Sequence, residues 1–180
     1  MIRKAVLPVA GFGTRFLPVT KAVPKEMLPI LDRPCVAYVV AEAVAAGITD
    51  IVLVTARGKS SLVDYFDRAP ALEAMLEAAG KRELAEELRA VAKHAKVVSV
   101  RQHEQKGLGH AVLAARAAVG REAFAVILPD DIVDGDDPAM GQIARVQSET
   151  GGVVVALKEV PREHTRRYGI CAGPMVRPDR

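Results

Sequence analysis

Aromatic residues are scarce in this sequence: they make up 4% of its 180 residues, and tryptophan is absent. A buried core must therefore be assembled from Val, Leu, Ile and Ala. Cysteine is nearly as rare. Cys35 and Cys171 lie far apart and fit no metal-ligand spacing, so reduced, partly buried thiols in a cytoplasmic protein are expected. No segment approaches the roughly 20 consecutive apolar residues that a bilayer-spanning helix needs. The basic start MIRKAVLPVAGFG is interrupted by Pro8 and Gly11, so it reads as a strand entering a loop, not as a signal peptide. Neither charge dominates. A net charge of +3, without an arginine-rich run, gives no support for a nucleic-acid surface. The partners expected therefore include neither nucleic acid nor membrane.

What is present suits one soluble domain. Hydrophobic residues make up 50% of the chain and charged residues 26%, with enough length to bury a substantial core. Short β-rich runs alternate with longer helical stretches. Strands are expected at Lys4–Val9, Ile51–Thr55, Lys96–Gln102, Phe124–Asp131 and Val153–Leu157. Helices are expected from Pro34 to Ala46, closed by Gly47, and from Leu62 to about His94 in pieces broken at Pro70 and Gly80. Two more are expected over Leu108–Val119 and Ala139–Glu149. The charges of Glu83, Glu86, Glu87 and Arg89 read as a solvated helix face. Such alternation predicts an α/β fold, a mostly parallel sheet with helices on both faces.

In such a sheet, ligands sit beyond the carboxyl ends of the strands. That rule selects the segments Ala10 to Arg15, Thr55 to Lys59, Gln102 to Gly109 and Pro129 to Asp131. The first, within VAGFGTR, places Gly11 and Gly13 before Thr14 and Arg15. Glycines there permit backbone angles and close approach denied to larger residues, and successive N–H groups can cradle a phosphate. Arg15 adds a charge with fork geometry for phosphate oxygens. A dinucleotide fingerprint would need glycine at position 16, which is Phe16. A Walker A loop fails as well: Gly58-Lys59-Ser60 ends correctly, but its first glycine would fall at Leu53.

Further on, Lys21, Lys25 and Glu26 stand among prolines that fix the path of an extended loop. Lys25, beside a phosphate cradle, is placed to neutralise developing polyphosphate charge. Gln102 ends a strand with an amide that offers both donor and acceptor, as a pyrimidine edge requires. Asp130 and Asp131 follow a buried strand, where a hard cation is a natural partner. Because successive side chains on an extended chain point opposite ways, the two are not expected to bind one ion equally. Asp134, Asp136 and Asp137 read as an exposed acidic turn. His110 opens a helix, where a structural role is favoured over a catalytic one.

The stretch AGFGTRFLPVTKAVPKEMLPILDRP, Ala10 to Pro34, closely resembles the opening of bacterial UTP–glucose-1-phosphate uridylyltransferases, within the wider sugar nucleotidylyltransferases. The segments AAGITDIVLVTARGKSSLVDYFD, KGLGHAVL, AVILPDD and RYGI fit the same branch. The resemblance implies a Rossmann-like, three-layer sheet of the nucleotide-diphospho-sugar transferase type. It implies uridylyl transfer from UTP to glucose 1-phosphate, with Arg15 and Lys25 catalytic and Mg²⁺ at Asp130. Ala10, Gly11, Gly13, Thr14, Glu26, Gln102 and Gly107 would bind the nucleotide. The backbone of Gly169, after Tyr168, would bind glucose hydroxyls.

Family members run further and carry a Glu-Lys-Pro segment and a second metal-binding Asp. No EKP triplet occurs here. The expectation is a single domain over residues 1–180 that is the nucleotide-binding portion, without the C-terminal sugar-binding portion. An active enzyme, a non-catalytic UTP-binding remnant, and specificity for another base or sugar 1-phosphate all stay open, as does assembly into homo-oligomers.

Overall fold

A computed structural model describes residues 2–133 and 135–173. Four parallel strands form its central sheet, in the order β5-β4-β1-β6. These are β1 (Lys4–Pro8), β4 (Asp50–Thr55), β5 (Lys96–Arg101) and β6 (Phe124–Val126). Two-residue strands β2 (Pro29–Ile30) and β3 (Arg33–Pro34) pair separately as a small antiparallel ribbon. The helices are α1 (Cys35–Ala45), α2 (Ser61–Asp64), α3 (Pro70–Ala78), α4 (Arg82–Lys93), α5 (Leu108–Ala114), α6 (Arg116–Val119) and α7 (Ala139–Thr150).

Alternation along the strands fills both faces. On β1 and β4, Ala5, Leu7, Ile51 and Leu53 point toward α1 and its Val36, Val39 and Ala43. Val6, Val52 and Val54 point the other way, onto Ala111, Ala115 and Val119 of α5 and α6. Strands buried on both faces read as unbroken apolar runs rich in β-branched residues, and IVLVT is one. The small residues on α5 and α6 let that layer approach closely.

Topology then positions the site. From β1 the chain builds β4 and β5 on one side, and only afterwards crosses α5 and α6 to add β6 on the other. The strand order reverses at β1, so the crevice opens beyond its carboxyl end.

Several expectations need correction. The strand expected over Phe124–Asp131 stops at Val126: the Ile127 N–H makes a last bond to Val6 O at 3.1 Å, and the chain then enters the Leu128–Asp131 turn. The helix expected over Leu108–Val119 divides at Ala115. Val153–Leu157 forms no strand. Val153 is 93% exposed, and the segment lies across a groove from β6 without entering the ladder. A β-branched run becomes a strand only when its backbone groups find a partner edge.

Arg89 also departs from the solvated face assigned to it. Glu73, buried at the start of α3, accepts bonds from Arg68 Nε at 2.7 Å and Arg89 Nε at 3.0 Å. Arg89 bridges onward to Glu77 and Glu86. The Arg68 hydrogen bond, working against burial and helped by Arg89, draws the Glu73 pKa down to about 2. A depressed carboxylate pKa contributes stability above the unfolded value and loses it as pH falls through the folded value. Glu73→Gln is therefore expected to lower the melting temperature near neutral pH. Calorimetry should show the gap to wild type shrinking from about 4.5 downward and closing near 2. A gap independent of pH would contradict this.

Candidate nucleotide site

Val9 and Ala10 leave β1 buried, with the Val9 N–H still donating to Val54 O at 2.9 Å. The chain then enters the Gly11–Gly13 loop. Gly13 adopts φ 65°, ψ 34° and begins a 3-10 turn over Thr14–Phe16. Thr20 Oγ1 donates to Gly13 O at 2.8 Å. A Cβ on Gly13 would stand 3.0 Å from Lys25 Cβ and 3.1 Å from Thr20 Cγ2. Glycine is required there twice, by dihedral and by space. Gly11 needs neither: its φ is not left-handed, and a Cβ would meet no atom within 4 Å.

The Lys25 stem thus lies against the loop, and Lys25 Nζ donates to Asp130 Oδ2 at 2.8 Å. Two residues 105 apart, one in the PKEM turn and one beyond β6, meet at the crevice. Burial pushes the Asp130 carboxyl up, but Lys25, with Arg15 further off, outweighs it and holds the pKa below the ordinary value. Arg15 itself is exposed. Asp131 turns away, toward the groove beside β6. Cys35, at the start of α1, donates its thiol to Pro129 O at 2.8 Å, which fixes the approach to Asp130. Burial, then the Asp130 and Glu26 carboxylates, raise that thiol's pKa.

Behind the loop, Glu26 and Lys59 are 2% and 8% exposed and pair at 2.9 Å. Lys59 Nζ also donates to Val9 O.

On the β4–β5 side, Gln102 is 5% exposed. With its amide in this orientation, Nε2 donates to His110 Nδ1 at 2.9 Å and to Gly107 O at 3.4 Å. His110 thus lies against the Gln102 amide at the start of α5. Gly107, at φ 91° and ψ −179°, opens α5 in a conformation only glycine adopts comfortably. A cavity of about 620 Å³, the size of a small-ligand pocket, opens here between Phe12, Arg57, Gln102 and Gln105.

Gln102, Gly107, the glycine loop, Lys25, Glu26 and Asp130 thus gather along one edge of the sheet. Gly169 does not join them: it follows a 3-10 turn over Arg162–Arg167 in exposed chain, and no hydrogen bond ties it to the loop among the described residues. Three further residues lie in the segments that the strand-end rule selects but were not singled out there. Gln105 Nε2 donates to Ala10 O at 2.7 Å, and it closes the KGLG loop over the glycine loop. Phe12, 73% exposed, forms a cavity wall. Lys59 ends the Thr55–Lys59 segment and sits in a GKS triplet, two signals that mark its neighbourhood without giving its role. Asp134 lies outside the described residues; Asp137 pairs with Arg145 of α7. Among the described residues, no group of three or more His, Cys, Asp or Glu side chains could together hold a metal. No helix among them is long and apolar enough to cross a membrane.

This is the layout of an α/β protein whose loops meet at the carboxyl ends of parallel strands, and comparison with known proteins defines its class. The chain belongs to the nucleotidyl transferase family, whose profile matches residues 4–174. It is 52% identical, over 169 residues, to the UTP--glucose-1-phosphate uridylyltransferase of Staphylococcus haemolyticus. That match covers 94% of this chain and 59% of the relative, so the chain spans under two thirds of its curated relative's length. A UDP-glucose pyrophosphorylase from Acinetobacter baumannii superposes with TM-score 0.90 at 44% identity, covering 97% of this chain and 63% of that one. A UTP-bound UGPase from the same organism gives TM-score 0.80 at 48% identity, over 83% and 54% of the two chains.

The two loop glycines should respond differently to substitution. Gly13→Ala, strained and crowded, is expected to cost about 1–2 kcal/mol and lower the melting temperature by about 2–8 °C. Gly11→Ala should melt within about 2 °C of wild type. Scanning calorimetry on both variants checks this, and equal losses would contradict it.

Proposed function

We propose that this chain is the nucleotide-binding portion of an enzyme that transfers a uridylyl group from UTP to glucose 1-phosphate, giving UDP-glucose and pyrophosphate. The observation that carries the reading is the Lys25–Asp130 pair, 2.8 Å long, held beside the Gly13 turn at the carboxyl end of β1. A cation and a carboxylate poised together against a phosphate cradle offer both charges that a metal-bound triphosphate needs. The likeness to uridylyltransferases over 94% of the chain supports the choice of substrates.

In this reading, the loop amides from Ala10 to Thr14 and the Arg15 guanidinium grip the triphosphate. A phosphate oxygen of glucose 1-phosphate attacks the α-phosphorus in line, and the bond to pyrophosphate breaks. Lys25 offsets charge that grows on the α-phosphate. Gln102, with its donor committed to His110, presents its carbonyl oxygen to the N3–H of uracil. Gly107 lets the following backbone approach the base and ribose. Gly169 would meet glucose hydroxyls through its backbone.

Nucleotidyl transferases generally use a divalent metal. The donors here fit Mg²⁺: Asp130 is a single, half-exposed hard carboxylate, and Mg²⁺ is commonly held by one or two carboxylates together with substrate phosphates. Asp130 would hold it, and the ion when bound would supply charge neutralisation on the phosphate oxygens. Arrival of the metal-bound nucleotide then gives both Lys25 and Asp130 new partners.

Titration calorimetry with UTP and CTP, with and without Mg²⁺, tests the proposal, alongside an assay for UDP-glucose on the same sample. UTP is expected to bind more tightly than CTP, and Mg²⁺ to strengthen it. Lys25→Ala should weaken UTP binding about tenfold or more, and Asp130→Ala should abolish the Mg²⁺ dependence. Binding without synthesis would confine the function to nucleotide binding. No UTP binding by the folded chain would overturn the proposal.

A further inference from the structure

Glu26 Oε1 is the one buried side-chain oxygen or nitrogen without a hydrogen-bond partner among the described residues. Its other oxygen, Oε2, accepts from Lys59 at 2.9 Å. An unmade hydrogen bond on a buried carboxylate is costly, so a site that keeps one holds it for a donor that arrives with a ligand. Glu26 is followed directly by Met27 and preceded by Lys25, so its placement also sets where Lys25 leaves the PKEM turn. Lys59 reaches this point from beyond the end of β4 and donates in addition to Val9 O, two residues before the glycine loop. One ammonium therefore joins the exit of β1, the PKEM turn and the β4 loop. Burial depresses the Lys59 pKa, with Glu26 opposing, so the lysine gains its place only through these partners.

We propose that Lys59 is a positioning residue for the nucleotide site, acting through Glu26: it fixes the carboxylate so that Oε1 meets a donor on the bound nucleotide, and anchors the strand end from which the phosphate loop departs. The GKS triplet that fails as a Walker motif thus serves nucleotide binding from behind the loop, without touching phosphate. This inference rests on the nucleotide-binding reading above.

A double-mutant cycle on UTP binding tests it, with wild type, Lys59→Met, Glu26→Gln and the double variant measured by calorimetry well below their melting temperatures. Lys59→Met is expected to weaken UTP binding tenfold or more. In the Glu26→Gln background, the same change should weaken binding severalfold less than in wild type, since the carboxylate it positions is gone and only its bond to Val9 O is left to lose. Equal weakening in both backgrounds would overturn the proposal, as would Lys59→Met binding UTP within twofold of wild type. If Lys59→Met does not fold, Lys59→Arg, which keeps the charge and moves it, takes its place with the same expectations.

Amide hydrogen exchange without nucleotide separates this proposal from the functional reading. Lys59→Met or Lys59→Arg should speed exchange at Gly11–Arg15 and Lys25–Met27 while leaving α3 and α4 unchanged. Unchanged or uniformly faster exchange would overturn the positioning role. A wild-type chain that binds no UTP would overturn the functional reading, and the exchange result would still decide on Lys59.

Discussion

Neither a carboxylate nor an ammonium can leave water alone, and Glu26 and Lys59 are both buried directly behind the glycine loop. They are tolerable there only as a pair, and the pair forms only when three parts of the chain arrive together. The exit of β1 supplies Val9 O, the PKEM turn supplies Glu26, and the loop after β4 supplies Lys59. Much of the site's geometry follows from that requirement. With Glu26 fixed, Lys25 leaves the turn with its stem against Gly13, and its ammonium reaches Asp130.

The parallel sheet makes the meeting possible. β1 lies between β4 and β6 and runs parallel to both, so the carboxyl ends of all three strands face the same side of the molecule. Loops leaving those ends have no alternative but to share the crevice. Apolar packing on both faces, Leu7 and Leu53 on one and Val6 and Val54 on the other, holds the strand ends in place. Polar contacts then act locally: Cys35 steadies Pro129, and Gln105 draws the KGLG loop to Ala10.

Much of this was legible in the sequence, for identifiable reasons. IVLVT announces a doubly buried strand by its unbroken apolar run rich in β-branched residues, and Gly47 closes α1 at φ 82° as its position suggested. Gly13, Lys25 and Asp130 were singled out because a glycine turn after a strand, a lysine beside it and a carboxylate beyond a buried strand suit one polyphosphate, and the structure brings the three side by side. The individual contacts made by residues within the selected segments have a different origin. Gln105 gains its meaning from a contact 95 residues away, and Lys59 from partners 50 and 33 residues away, which no local pattern records. Val153–Leu157 has every local property of a strand but lacks a paired edge among the described residues. Propensity describes a segment, and a ladder needs two.

The central claim is that the loops at the carboxyl ends of β1, β5 and β6 form one nucleotide site. Amide chemical-shift mapping during UTP titration, followed by heteronuclear NMR, tests it most directly. The account predicts the largest shifts at Gly11 to Arg15, Gln102 to Gly107 and Asp130, with α3 and α4 unmoved. Shifts centred instead on the groove between β6 and Val153–Ala156 would contradict it.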